Sequence, residues 1–256
     1  MSVKRTILLT GSASGIGFAT AQRLRHAGHS VIGVDVHDAE IVADLGTHDG
    51  RQRLVDGVRS LVRGSLDSVI ACAGVAHQPP ERIVSVNYFG ALATLEGLLP
   101  LLRRSERPRA VLVSSSACLH QTDEALVAAC LAGDEAAACA HARVAGMMTY
   151  AGSKKALALW MRRAAAAERW GGAGIPLNGI APGTIQTPMT APLMASEEGR
   201  AVLIRATPTV IGERYGQPDD PAEVLAFLAT MESAYVLGQL LFVDGGTDIL
   251  SRPEAL

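Results

Sequence analysis

Basic charge, cysteine and aromatic residues are all scarce in this chain, and each shortage excludes a class of protein. Lys plus Arg number 23 against 25 Asp plus Glu, a formal net charge of −2. That balance gives no electrostatic footprint for nucleic acid or for an anionic membrane surface. The four cysteines, Cys72, Cys118, Cys130 and Cys139, form no C-x-x-C pair. A 256-residue chain rich in core residues does not need disulfide staples, so buried free thiols in a reducing compartment are expected. The seven histidines fall in no H-E-x-x-H or Cys/His cluster, and no metal is expected. No uninterrupted apolar run reaches the roughly 18 residues of a membrane span. Met1 to Thr10 runs into a glycine turn with no apolar leader and cleavage site before it. The expectation is a cytoplasmic protein with no membrane and no nucleic-acid partner. Aromatics make up only 4%, so the core must be built from Ala, Val, Ile and Leu. Hydrophobic residues at 48% and charged residues at 19% exclude a disordered chain.

What the chain does have is glycine, 26 residues of it, clustered where apolar runs end. Thr6 to Leu9 reads as a strand, followed at once by Gly11, Ser12, Ser14, Gly15 and Gly17. Phe18 to Ala27 reads as a helix stopped by Gly28, and Val31 to Val34 as a second strand closed by Asp35. The alternation continues with a strand at Ser68–Cys72 and a long helix at about 81–102, whose Leu95, Leu98, Leu99 and Leu102 share a face. Ala110–Val113 is a strand, Tyr150–Ala167 a helix, and Ile175–Ile180 and Leu240–Val243 are strands. Continuous apolar strands alternating with helices predict a doubly wound parallel sheet in one α/β domain of Rossmann type, spanning 1–256. One stretch breaks the rhythm. At about 117–149, Asp123-Glu124 and Asp134-Glu135 can each open a helix, with Gly133 and Gly146 as stops, so a helical hairpin is inserted there.

The glycine spacing is G-x-x-x-G-x-G rather than G-x-G-x-x-G, but the physics is shared. Glycine lets the backbone approach a pyrophosphate, and the following helix presents unpaired N–H groups to it. Gly11, Ser14, Gly15, Ile16 and Gly17 are therefore candidate cofactor residues. Asp35 can accept hydrogen bonds from ribose hydroxyls and would repel a 2′-phosphate, which favours NAD over NADP; the alternative is a simple strand cap. Tyr150 and Lys154 lie four apart, on one helix face. A lysine ammonium beside a phenol favours the phenolate and lowers its pKa towards the range of a general acid–base. Y-x-x-x-K on a solvated face is the bland alternative. Ser114, Ser115 and Ser116 end a strand just upstream, where a hydroxyl can stabilise charge on a substrate oxygen. Asn87 is an amide inside an otherwise apolar helix, and it must either hold a water or bond another helix.

These motifs together resemble the short-chain dehydrogenase/reductase family. The matching residues are Thr10-Gly11-x-x-x-Gly15-x-Gly17, Ala73-Gly74, Asn87, the Ser115 region, Tyr150-x-x-x-Lys154, Pro182-Gly183 with Thr187, and Asp244-Gly245-Gly246. The resemblance covers nearly the whole chain. It implies that Tyr150 exchanges a proton with the substrate oxygen, and that Lys154 binds the nicotinamide ribose and lowers the Tyr150 pKa. It also implies that Ser115 holds the substrate oxygen and that Asn87 anchors a water leading from Lys154 to solvent. Asp44-Leu45 would flank the adenine, and Ile185 and Thr187 would fix the carboxamide. The reaction implied is direct hydride transfer between NAD and a secondary alcohol or ketone. The family's usual Asn-Asn-Ala-Gly is here Ala71-Cys72-Ala73-Gly74, so the asparagine that often steadies the sheet is missing.

Within the family the chain is similar to the bacterial hydroxysteroid-dehydrogenase branch, at residues 38–45, 84–91 and 150–154 and in the long insert before Tyr150. In that branch the insert accompanies an altered subunit interface, which favours a homodimer over the family's common homotetramer. Residues about 188–215 are where the family places a lid. Met189, Leu193 and Met194 there are candidate contacts for an apolar, steroid-like or alicyclic substrate, or else ordinary core residues of a helix pair. An NAD-binding sensor or scaffold without turnover, and an epimerase or dehydratase on the same fold, are the alternatives.

Overall fold

The central strands of the sheet alternate their side chains between two helical layers, and this sets the architecture of the computed structural model, which describes residues 4–212 and 215–255. In β1 (Thr6–Thr10), Leu8 packs into one core, and Ile7 and Leu9 into the other. The first core takes Leu54 and Val58 of α2 (His48–Leu61), Leu95, Leu98 and Leu102 of α4 (Ala91–Leu102) and Leu157 and Met161 of α7 (Thr149–Ala165). The second takes Ala21 and Leu24 of α1 (Gly15–His26) and Leu225 and Leu228 of α10 (Asp219–Thr230). A strand buried on both faces must be apolar at every position, which is why these strands read as continuous runs.

The remaining strands are β2 (Ser30–Asp35), β3 (Ile41–Val42), β4 (Ser68–Ala71), β5 (Arg109–Val113), β6 (Leu177–Pro182) and β7 (Leu240–Val243). Their order is β3-β2-β1-β4-β5-β6-β7, and all neighbours are parallel. The chain moves outward from β1 to β3 and then returns to β4 on the other side of β1. The crevice between the carboxyl ends of β1 and β4 is thus a topological switch point.

The expected strands and helices are present, with ends shifted by a few residues. Residues 175–176 stay outside β6, which continues instead to Pro182. The long helix at 80–102 is α3 (Pro80–Val84), one π-helical turn (Ser85–Gly90) and α4. Among the described residues it alone is long and apolar enough to cross a membrane, and 67% of its most apolar window is buried in the fold. The insert is a helical hairpin, α5 (Glu124–Ala132) and α6 (Glu135–Ala145), flanked by short 3₁₀ turns. Asp123 and Asp134 cap the two helices by accepting from the N–H groups of Leu126 and Ala137. Gly133 ends α5 at φ +76°, the left-handed conformation glycine adopts readily. The lid region holds α8 (Ala191–Met194) and α9 (Glu197–Ala206); its positions 213 and 214 lie outside the described residues. A last helix, α11 (Thr247–Ser251), follows β7.

Candidate active site

One cleft, about 350 Å³, crosses the carboxyl ends of five adjacent strands. Its lining comes from Asp35 to His37 after β2, the glycine turn after β1, Cys72 to Val75 after β4, Val113 to Ser115 after β5, and Pro182 to Thr190 at the end of β6 and beyond. Strand order therefore orders the cleft from one end, where Ala43, Asp44 and Leu45 also lie, to the other, where Tyr150 and Lys154 face Ser115.

The glycine turn packs too closely for side chains. Gly11 has φ +73°, and a Cβ on it would meet Ala73 Cα at 2.9 Å; a Cβ on Gly17 would meet the Gly11 carbonyl oxygen at 1.9 Å. Backbone is thereby brought to the cleft wall, with Ser14, Gly15 and Ile16 on its lining. Asp35 reaches into this turn: Oδ2 accepts from the Ala13 N–H at 2.9 Å and Oδ1 from the Val36 N–H at 2.7 Å. It is thus tied to the turn as well as lining the cleft. The asparagine missing after β4 has a substitute in Thr10. Its Oγ1 accepts from the Cys72 and Ala73 N–H groups, each at 3.1 Å, and so fastens β4 to β1.

At the other end the serine run divides its labour. The Ser114 hydroxyl donates to the Lys154 carbonyl at 2.9 Å, fixing α7 to β5. Ser115 accepts from the Ala117 N–H at 3.2 Å, which leaves its own proton free to donate to the Tyr150 phenol oxygen. Burial pushes the Tyr150 phenol above its ordinary pKa, against the opposing effect of Ser115. The lowering expected from Lys154 is not found here. The Lys154 Nζ donates to the Val113 carbonyl at 2.9 Å and stands 6.0 Å from the Tyr150 ring centroid. Burial brings the Lys154 ammonium down to about 8. A Cβ on Gly74 would lie 3.2 Å from this Nζ and 3.3 Å from Asn87 Oδ1, so glycine at 74 makes room for both.

Asn87 lies within the π-helical turn and is buried off the cleft lining. Its Oδ1 accepts from the Val75 N–H at 2.8 Å, and its Nδ2 donates to the Val75 carbonyl at 3.0 Å and to Ser153 Oγ at 3.3 Å. The side chain thus pins the loop after β4 to α7. Pro182, Gly183, Ile185, Thr187 and Met189 all line the cleft. Leu193 and Met194 do not, contrary to expectation: they belong to α8, which pairs with α9, and the Met194 carbonyl accepts from Arg200 of α9 at 2.9 Å. Arg82 of α3 is a lining residue the sequence did not disclose. It donates to Asp44 Oδ1 at 3.0 Å, a partner far away in the chain. Among the described residues no group of three His, Cys, Asp or Glu side chains is placed to hold a metal ion.

A glycine turn opening a helix at the switch point of a parallel sheet places the protein among the doubly wound dinucleotide-binding proteins. Residues 5–128 match the family model described as short chain dehydrogenase, and residues 135–248 that described as enoyl-(acyl carrier protein) reductase. The chain is 40% identical to the 3-alpha-hydroxysteroid dehydrogenase/carbonyl reductase of Comamonas testosteroni, over 96% of this chain and 98% of that one. It is 29% identical to the cis-4-hydroxycyclohexanecarboxylate dehydrogenase of Sinomonas cyclohexanicum, over 95% and 96%. The crystal structure of the 3-alpha-hydroxysteroid dehydrogenase from Pseudomonas sp. B-0831 complexed with NADH superposes with a TM-score of 0.92, at 40% identity, covering 98% of this chain and 100% of that one. The chain belongs to the short-chain dehydrogenase/reductase family and is an oxidoreductase.

Proposed function

We propose that the protein interconverts a secondary alcohol and a ketone on an apolar, steroid-like or alicyclic substrate, with NAD(H) as the hydride carrier. The observation that carries this reading is that one cleft has a backbone cradle and Asp35 at one end and Ser115, Tyr150 and Lys154 together at the other. The cradle fits a dinucleotide, because side chains at Gly11 and Gly17 would fill the space. Gly11, Ser14, Gly15, Ile16 and Gly17 hold the pyrophosphate. Asp35 accepts from the adenosine ribose, with Asp44 and Leu45 beside the adenine. Ala73, Gly74, Pro182, Gly183, Ile185 and Thr187 hold the nicotinamide half. No cation occurs in the glycine turn, and Arg82 is committed to Asp44, so neither offers a partner to a 2′-phosphate, which Asp35 would repel. When bound, NAD+ supplies the hydride acceptor for alcohol oxidation.

The chain's own residues handle the proton and the oxygen charge. Tyr150 removes the hydroxyl proton in oxidation and returns it in reduction. Ser115 turns its proton from the Tyr150 oxygen to the substrate oxygen as charge develops there. Lys154 binds the nicotinamide ribose. Asn87 holds the Val75 loop and α7 in place around Lys154 and anchors the water that carries protons out. Met189 contacts the apolar substrate.

We also expect a homodimer or homotetramer in the cytoplasm. β7 is an edge strand whose side chains are only half-buried, and apolar Tyr235, Leu237 and Ile249 stand exposed on the segments either side of it. All four cysteines are free, Cys130 buried and the others half-buried, which suits a reducing compartment.

A substrate panel tests the function. Hydroxysteroids, alicyclic alcohols and aromatic ketones, each with NAD(H) and with NADP(H), should give turnover at the nicotinamide absorbance band with a preference for NAD(H). Tight NADH binding without turnover across the panel would leave a binding protein instead.

A further inference from the structure

The helical hairpin of the insert is the largest element that the proposed chemistry leaves without a task. Its second helix, α6, begins with Glu135, which points at Arg51 of α2. The pair is bidentate: Glu135 Oε2 accepts from Arg51 Nη1 at 2.6 Å and Oε1 from Nη2 at 2.7 Å. The same guanidinium donates from Nε to the Leu45 carbonyl and from Nη2 to the Ser85 carbonyl, both at 2.8 Å. One planar fork therefore joins three segments: the Asp44-Leu45 wall of the cleft, the start of the π-helical turn that carries Asn87, and the insert. The Arg51 side chain is only 13% exposed. A second link runs alongside. Arg143 of α6 pairs with Glu81 of α3, the neighbour of the Arg82 that holds Asp44.

We propose that Glu135 and Arg51 are positioning residues for the cofactor, through which the insert braces the Asp44-Leu45 wall of the nucleotide cleft. The proposal rests on the NAD(H) reading given above. The physical reason lies in the guanidinium. Its donors have a fixed planar geometry, so once two of them are locked to a carboxylate, the direction of Nε is fixed as well. Leu45 meets that Nε through its backbone carbonyl, so the bond sets the path of the wall itself. A lysine at 51 has no such fork. The Glu135 carboxyl stays below its ordinary pKa: burial pushes it up, but hydrogen bonds from Arg51 and Ser85 outweigh that push. The pair thus remains charged through the neutral range.

The test is NADH titration by fluorescence together with steady-state kinetics on Glu135→Gln, Arg51→Met, Arg51→Lys, the Glu135→Gln/Arg51→Met double variant and Leu126→Ala. Glu135→Gln and Arg51→Met should raise the NADH Kd and the NAD+ KM about tenfold, the scale of a lost charge-assisted hydrogen bond. Their kcat at saturating NAD+ should stay within about twofold, since only cofactor placement is affected. The double variant should be no worse than Arg51→Met, because the two residues act as one unit. Arg51→Lys should not restore affinity. Leu126→Ala loosens the same insert against α7 without touching Arg51; it should lower the unfolding midpoint and leave the NADH Kd unchanged. The proposal is overturned if Glu135→Gln binds NADH like the wild type, or if Leu126→Ala weakens NADH binding as much as Glu135→Gln does. A wild-type protein that binds no NADH overturns the functional reading itself, and the brace with it.

Discussion

Lys154 is held by burial at about 8, below the ordinary lysine value of 10.5, and this has a thermodynamic consequence. A folded-state pKa below the unfolded one means that folding disfavours the charged form. The penalty is fully present below about pH 8 and disappears as pH rises from there towards 10.5. Lys154→Met should therefore unfold at higher urea than the wild type at pH 7, by up to about 3 kcal/mol, with the advantage shrinking as pH rises through that window. The same variant should lose turnover, a trade of activity for stability of the kind expected at a functional site. Equal or lower stability at pH 7 would show that the lost bond to the Val113 carbonyl matters more than the buried charge. Asp35 makes a second residue-level prediction. Asp35→Ser should weaken NAD+ binding about tenfold and narrow the preference over NADP+, read from the two kcat/KM values. Tyr150, Lys154, Asp35 and the glycine turn, which the structure brings to one cleft, stood out in the sequence because they sit in short spacings along the chain. Arg82 and Arg51 were not, because the backbone and carboxylate atoms they meet are brought close only by folding. Leu193 and Met194 mislead for the converse reason: nearness in sequence to Thr187 does not put α8 on the cleft wall.

At the scale of elements, the fold was legible wherever burial is dense. The central strands β1, β4, β5 and β6 are buried on both faces and could be read as runs, and the hairpin of the insert was marked by its two Asp caps and Gly133. α2 was not read, because only four of its fourteen residues are buried and most of the rest are polar. β3 is two residues long, too short to show any period. The π-helical turn leaves the 3.6-residue spacing unmarked in an apolar stretch. The insert and the catalytic helix meet at Gly152, where a Cβ would lie 2.9 Å from Leu126 Cδ2. Leu126 is fully buried there. Leu126→Ala should destabilise the fold by about 2–5 kcal/mol, checked by urea unfolding, since the cavity adds to the lost burial. Gly152→Ala should also destabilise and should lower kcat, because the displaced Leu126 pushes on the helix that carries Tyr150 and Lys154.

At the scale of the whole molecule, the order of seven parallel strands accounts for the position of the cleft. A chain that winds outward from β1 to β3 and returns at β4 opens one crevice at the carboxyl ends, and residues from five strands converge on it. The exposed edge at β7 makes association the whole-molecule prediction. Light scattering at micromolar concentration should give twice or four times the 26.7 kDa of the chain, and a monomer would contradict it. The proposed chemistry is tested most directly by NAD+ reduction with a turned-over alcohol, measured for the wild type and for Tyr150→Phe. Tyr150→Phe should bind NADH as tightly as the wild type and lose at least about a hundredfold in kcat, the scale of a lost general acid–base. Unaltered kcat in that variant would contradict the assignment of Tyr150 as the proton-transfer group.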